Sequence, residues 1–214
     1  MTMERSTGLA YRILLQPPVK AIPVIFLPGV MGTNLMGTDE GKENDIWRGD
    51  SLGGVFLKWA RKDGTERREL LNPDTTKVDN RGDINQTLYS PLSDDGKIFT
   101  TRRERGWGEV LFFSYGKFIS VFQGALLDDW QQDLVHYGKS TSEKNGVLSQ
   151  LVGKSLSKGI DTEITGESIL TQQELNHFKN FLFPVHVYGY NWLQDNKTSA
   201  QGLVAFIDRT ISLY

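Results

Sequence analysis

The chain has 214 residues, long enough for one sizeable hydrophobic core. Its 24 basic and 26 acidic residues nearly cancel, and clusters such as Arg61-Lys62, Arg67-Arg68 and Arg102-Arg103 are interleaved with Asp63, Glu66, Glu69 and Glu104, so no nucleic-acid partner is expected. With no cysteine, disulfides, thiolate metal sites and a cysteine nucleophile are excluded.

Residues 1–18 read as a lead-in closed by Pro17-Pro18. Arg12 interrupts their apolar stretch, so no cleaved signal peptide is expected, and no span reaches the ~18 apolar residues of a membrane helix. Val24 to Leu27 is a continuous apolar run, the pattern of a strand covered on both faces. Pro28-Gly29 ends it. In the loop Pro28-Gly-Val-Met-Gly-Thr33, Gly29 and Gly32 are expected to supply positive φ. The backbone N–H groups of Val30 and Met31 would then be free to face a ligand oxygen, as oxyanion donors do. A plain strand-to-loop turn is the competing reading.

Residues 37–109 are polar and punctuated by Trp47, Trp59, Tyr89, Phe99 and Trp107, which predicts short strands and turns without a long amphipathic helix. Phe118, Phe122, Leu126 and Trp130 recur at helical spacing and predict a helix over about 115–130. The aromatics of 107–130 are expected to pack in the core, with the lining of a lipid pocket as the alternative. Residues 138–168 read as a loop or mobile insertion. Thr171-Gln-Gln-Glu174 has the form of a capping box. Val185-His-Val-Tyr-Gly189 predicts a second strand. Asn196-Lys-Thr-Ser199 offers N-cap residues to a helix whose apolar stripe is Leu203, Ile207 and Ile211, with Val204 and Tyr214. Strand, turn and helix in this order favour an α/β layered sheet. No strand follows the last helix, so the chain is expected to be part of a longer one.

Three domain segments follow: 1–36, a lead-in and first core strand with the oxyanion loop; 37–180, a lid-like insertion with some core elements; and 181–214, a core strand and crossover helix.

Gly49-Asp-Ser-Leu-Gly53 matches G-x-S-x-G, but Lys42–Arg48 before it lacks the buried strand a nucleophile elbow needs. Gly-Asp-Ser-Leu is also the signature of another esterase family. Asp133-Leu-Val-His136 fits that family's second block, whereas Gly189-Tyr-Asn191 falls in the wrong order. Ser51 is therefore a secondary nucleophile candidate. His136, His177 and His186 are the only histidines, and no pair has metal-ligand spacing, so neither a metal nor a cofactor is expected. His186 reads as a hydrogen-bonded core histidine. Asp94-Asp95 and Asp128-Asp129 diverge as neighbours and make poor glycosidase pairs. Arg48-Gly-Asp50 and Arg81-Gly-Asp83 read as chance tripeptides.

Taken together, Ile22-Pro-Val-Ile-Phe-Leu-Pro-Gly-Val-Met-Gly-Thr-Asn-Leu35, Asp45-Ile-Trp47 and Val187-Tyr-Gly-Tyr-Asn-Trp192 resemble, in order, blocks of lecithin–cholesterol acyltransferase-like α/β-hydrolases. The resemblance implies the N-terminal part of an α/β-hydrolase sheet, acyl-ester chemistry on a phospholipid or other lipid ester, and Val30 and Met31 at the oxyanion loop. Asn191 stands where that family usually has Asp, and Leu193 where it often has Arg, so a local ion pair is missing. The nucleophilic Ser, the Asp and the His of the family would lie beyond Tyr214. A signal-less, cysteine-free hydrolase with a long polar insertion is similar to bacterial type VI secretion lipase effectors. That implies action at a membrane surface, an immunity protein as partner, and delivery from the producer's cytoplasm to a target cell's periplasm. The alternatives are a non-catalytic binding domain on a hydrolase-like sheet and a self-contained esterase using Ser51.

Overall fold

The computed structural model describes residues 20–38, 45–50, 59–85, 95–96, 98–136, 146–154 and 169–214. The lead-in, Ser51 and most of 138–168 lie outside these residues. The chain divides into two compact units, one formed by 1–22 with 124–183, the other by 23–123 with 184–214.

In the first unit, β1 (Lys20–Ala21) pairs in parallel with β6 (Phe181–Leu182). Helix α3 (Gln172–Phe178) begins where the capping box predicts: Thr171 Oγ1 accepts from Glu174 N at 3.2 Å, and Glu174 Oε2 accepts from Thr171 N at 2.8 Å. Leu175 is the residue that α3 buries.

In the second unit, β2 (Val24–Phe26) pairs in parallel and in register with β7 (Val185–Val187), Ile25 opposite His186. All of β7 is buried, as its apolar pattern predicts. All three residues of β2 are only half-buried, against the expectation of a strand covered on both faces. Burial on both faces needs layers on each side, and β2 has one partner strand among the described residues.

A three-stranded antiparallel sheet, ordered β4-β3-β5, comprises β3 (Leu35–Gly37), β4 (Asp45–Trp47) and β5 (Thr76–Val78). Thus the strand that precedes Gly49 is β4. It is a short antiparallel edge rather than the buried parallel strand of an elbow. Helix α1 (Gly64–Leu70) lies between β4 and β5 in sequence and is capped by Asp63.

Helix α2 (Lys117–His136) is longer than predicted and follows a π-turn over Phe112–Gly116. Among its described side chains, Ile119, Ser120, Gln123 and Leu127 are buried, while Phe118 is 52% exposed. Phe118, Phe122 and Leu126 of the predicted stripe thus lie beside the buried face, and Phe118 stacks on Phe122 with centroids 5.6 Å apart.

Helix α4 (Asn196–Ile211) is capped by Asp195, one residue before the predicted caps: Asp195 Oδ1 accepts from Thr198 N at 2.9 Å. Its inward face is Leu203, Phe206, Ile207 and Thr210. Val204 and Ile211, placed on the apolar stripe by sequence, are each 60% exposed.

One edge of β7 is held by side chains and loop backbone. Val185 N donates to Gln123 Oε1 at 2.8 Å, and Val185 O accepts from Trp107 Nε1 at 2.9 Å and Arg105 Nη1 at 3.1 Å. Val187 N donates to Arg105 O at 2.7 Å. Arg105 is fully buried, with further bonds to Thr100 O and Gln123 Oε1, and its guanidinium lies 5.1 Å from the Trp107 ring centroid.

Candidate active site

Strand β2 ends at Phe26, and after Leu27-Pro28 the chain makes a tight turn closed by Gly32 N donating to Gly29 O at 2.9 Å. The central residues are Val30 and Met31. Met31 has φ 65°, the positive φ at the third residue that marks a type II turn. A non-glycine residue in this region is uncommon, and such strain concentrates at functional sites. Gly29 and Gly32 are not the left-handed residues, contrary to expectation. Gly32 is required by crowding: a Cβ there would lie 2.8 Å from Gly29 O and 2.8 Å from the Tyr115 ring.

The turn is exposed at its tip and fastened at its base. Val30 is 74% and Met31 43% exposed. Their N–H groups have no acceptor among the described residues. Around them the contacts are specific. Tyr115 Oη accepts from Gly29 N at 3.2 Å, and Trp47 Nε1 donates to Met31 O at 2.9 Å. Leu111 N donates to Gly32 O at 2.9 Å. Thr33 is fully buried; its Oγ1 accepts from Tyr190 N and its carbonyl from Trp192 Nε1, each at 3.2 Å. The two aromatic segments singled out by resemblance, at Trp47 and Trp192, thus converge on one loop. Tyr115 and Glu109 carried no local signal, because their roles depend on contacts with residues more than 70 positions away.

Asn34, fully buried, forms the hub beneath the turn. Its amide nitrogen donates to Gly108 O and Val110 O at 2.9 and 2.8 Å, and its Oδ1 accepts from Gly49 N at 3.3 Å. Its backbone N donates to Glu109 O at 2.7 Å, and its carbonyl accepts from Asp79 N at 2.9 Å. The Asp79 carboxylate is buried too. Burial would push its pKa up, but hydrogen bonds from Arg81 and the charges of Arg81 and Arg48 outweigh this and hold it below the usual range. The two Arg-Gly-Asp tripeptides meet here, with Asp83 N donating to Asp50 Oδ1 at 3.0 Å.

Beside the turn, a crevice of about 220 Å³ opens at the carboxyl ends of β2 and β7, lined by Leu27, Pro28, Tyr188, Tyr190 and the first turns of α4. Ligands of open α/β sheets bind at such strand ends.

Glu109 accepts from Gly189 N at 2.7 Å, and burial pushes its pKa up to about 7. His186, buried and within 2.9 Å of Tyr214 Oη, is pushed down to about 4 by burial and by the positive charge of Arg105. It is a core histidine, as predicted. The two groups act oppositely on stability. Folded Glu109 keeps a proton that the unfolded chain releases above pH 4.5, so its contribution is lost as pH rises towards 7. Folded His186 refuses a proton that the unfolded chain takes up below pH 6.5, so its contribution is lost as pH falls towards 4. The effects cancel in the shared window. Glu109→Gln, which keeps the acceptor for Gly189, should uncover the histidine: urea midpoints should show the variant ~2 kcal/mol more stable at pH 7 than at pH 5, with the parent nearly flat.

Asn191 lies buried across the site, its amide nitrogen donating to Thr76 O and Thr76 Oγ1 at 3.1 and 3.0 Å and its Oδ1 accepting from Leu193 N at 3.2 Å. No ion pair is needed here, because a carboxylate would face a carbonyl. Asn191→Asp should cost ~2–3 kcal/mol at pH 7 by thermal unfolding, and less at pH 4.

His177 packs its ring against Phe181 at 5.3 Å in the first unit. His136 and Asp133 lie on α2, with side chains outside the described residues. Asp94 and Tyr89 are also outside them. Among the described residues no group of three or more His, Cys, Asp or Glu could hold a metal. None of their helices is long and apolar enough to cross a membrane.

No family model and no curated protein matches the sequence. Among solved structures, the chain superposes on a chain from the crystal structure of the Tle4–Tli4 complex with a TM-score of 0.68 and 25% sequence identity over 92% of its length. It spans 36% of that chain. The likeness supports a mixed α/β fold, within which the described strands form two parallel pairs and one three-stranded antiparallel sheet.

Proposed function

We propose that this chain is the N-terminal portion of a serine lipase or phospholipase that hydrolyses membrane lipid esters, of the type VI secretion effector kind. The observation that carries the reading is the turn at Val30-Met31: two exposed residues whose N–H groups have no acceptor among the described residues, on a backbone fastened by Trp47, Tyr115 and Thr33. Fixed donors of this kind stabilise the tetrahedral intermediate of acyl transfer because they need no reorganisation as charge develops. The likeness to a chain of the Tle4–Tli4 complex supports the effector class, and its two-protein make-up supports an immunity protein as partner. Since the chain spans 36% of that chain, the Ser, Asp and His that attack and relay protons are assigned to the remainder of the enzyme. The exposed apolar side chains beside the turn, Leu27, Val30, Met31 and Phe118, suit an acyl chain or a membrane surface. Cytoplasmic synthesis and delivery to a target periplasm complete the proposal.

Labelling with a fluorophosphonate, which captures activated serines, tests it. The 214-residue chain should remain unlabelled, and the longer enzyme containing it should be labelled at a C-terminal serine and hydrolyse phospholipid vesicles. Labelling of Ser51 in the short chain would instead establish the self-contained esterase. An inert, unlabelled long chain would establish a binding domain.

A further inference from the structure

The first unit holds a groove of about 760 Å³, within the ~300–1,000 Å³ of sites that enclose small organic ligands. Its floor is apolar: Leu148, Leu170, Leu175, Phe178, Phe181 and Phe183, with Phe178 stacked on Phe183 at 4.0 Å. Its polar side chains, among them Glu174 and His177, all come from the single stretch 171–177, which also supplies Leu175. Such a lining is mostly greasy, with its polar groups confined to one wall element.

The main chain of the wall is largely spent. Residues 172–178 are helical, Phe181–Leu182 pairs with Lys20–Ala21, Ile22 N donates to Leu182 O at 2.8 Å, and Gly153 N donates to Leu170 O at 3.0 Å. A peptide adding as a strand would find few backbone partners. An amphiphile with one chain and one head needs none. The head is constrained by Glu174: its carboxylate caps its own helix, and hydrogen bonds from the Thr171 side chain and backbone hold its pKa below the usual range, so it stays anionic at neutral pH. A free fatty acid would set a second carboxylate against it, whereas a zwitterionic head offers an ammonium group.

We infer that the groove lined by Ile22, Leu148 and residues of 170–183 binds the acyl chain of a zwitterionic lysophospholipid, with the cationic head group at Glu174. This site is independent of the oxyanion turn and does not require the chain to be catalytic.

Isothermal titration of the 214-residue chain with 1-lauroyl lysophosphatidylcholine, below its critical micelle concentration, tests the inference. Saturable one-to-one binding is expected. Leu170→Asp, or Leu148→Asp on a separate segment should the first fail to fold, should weaken it at least ~tenfold by charging the half-buried floor. Laurate should bind ~tenfold more weakly than the lysolipid, and Glu174→Gln, which preserves the capping box, should narrow that gap. Absence of saturable binding to the parent chain, undiminished binding to folded Leu148→Asp and Leu170→Asp proteins, or laurate binding as tightly as the lysolipid would each overturn it.

Discussion

Replacing Gly32 with Val should lower kcat of the complete enzyme by ~10²–10³-fold, the equivalent of losing one oxyanion donor at roughly 3–4 kcal/mol. The reason lies in where the new atoms must go. Even the first added carbon would sit 2.8 Å from Gly29 O and 2.8 Å from the Tyr115 ring, closer than such contacts allow. Relief requires opening the Gly32–Gly29 hydrogen bond or displacing Tyr115, which itself holds Gly29 N. Either movement reorients the peptide units of Val30 and Met31. KM should change little, because the donors act on the charge that develops during reaction and not on the ground-state ester. Tyr115→Phe, which removes only the acceptor for Gly29 N, should cost less than tenfold. Steady-state kinetics on a short-chain nitrophenyl ester separates these outcomes, and a Gly32→Val enzyme with unaltered kcat would remove the turn from the mechanism.

Asn34→Ala should destabilise the protein by ~3–5 kcal/mol, a large share of the ~5–15 kcal/mol that holds a typical domain. Three side-chain hydrogen bonds disappear at once, leaving Gly108 O, Val110 O and Gly49 N without that partner in a fully buried place. Water cannot readily replace them there, so each group bears its desolvation cost. Asn34→Asp should be as damaging at neutral pH, since two donors become an anion facing two carbonyls. Chemical denaturation measures both. A loss below ~1 kcal/mol for both variants would show that the loop is fastened elsewhere.

What the sequence disclosed, and what it withheld, follows the range over which each interaction acts. The capping box at Thr171 was legible because donor and acceptor lie three residues apart. The strand at Val185–Val187 and its histidine were legible because a short run of β-branched residues bounded by Pro184 and Gly189 leaves little alternative. The rule failed where a tertiary contact chose between adjacent residues. On α2 the aromatic stripe suggested the inward face, yet Ile119 and Gln123 took it, because Gln123 is needed by Val185 and Arg105. At the turn, positive φ does not explain the glycines. Their φ values are ordinary, and the demand for glycine at position 32 comes from Tyr115, more than 80 residues along the chain. Asn34 gave no signal at all, since its partners at Gly49, Gly108 and Val110 are brought together only by the fold.

The plugging of β7 has a directional consequence. Val185 and Val187 turn their peptide groups to Gln123, Trp107 and Arg105, so that margin accepts no further strand. The alternation of a parallel ladder leaves Ile25 of β2 pointing the opposite way, and its peptide groups have no partner among the described residues. Growth of this sheet is therefore one-sided. Any further strand would pair with β2, the strand that leads into the turn at Val30 and Met31, at the ~4.8 Å spacing of neighbouring strands.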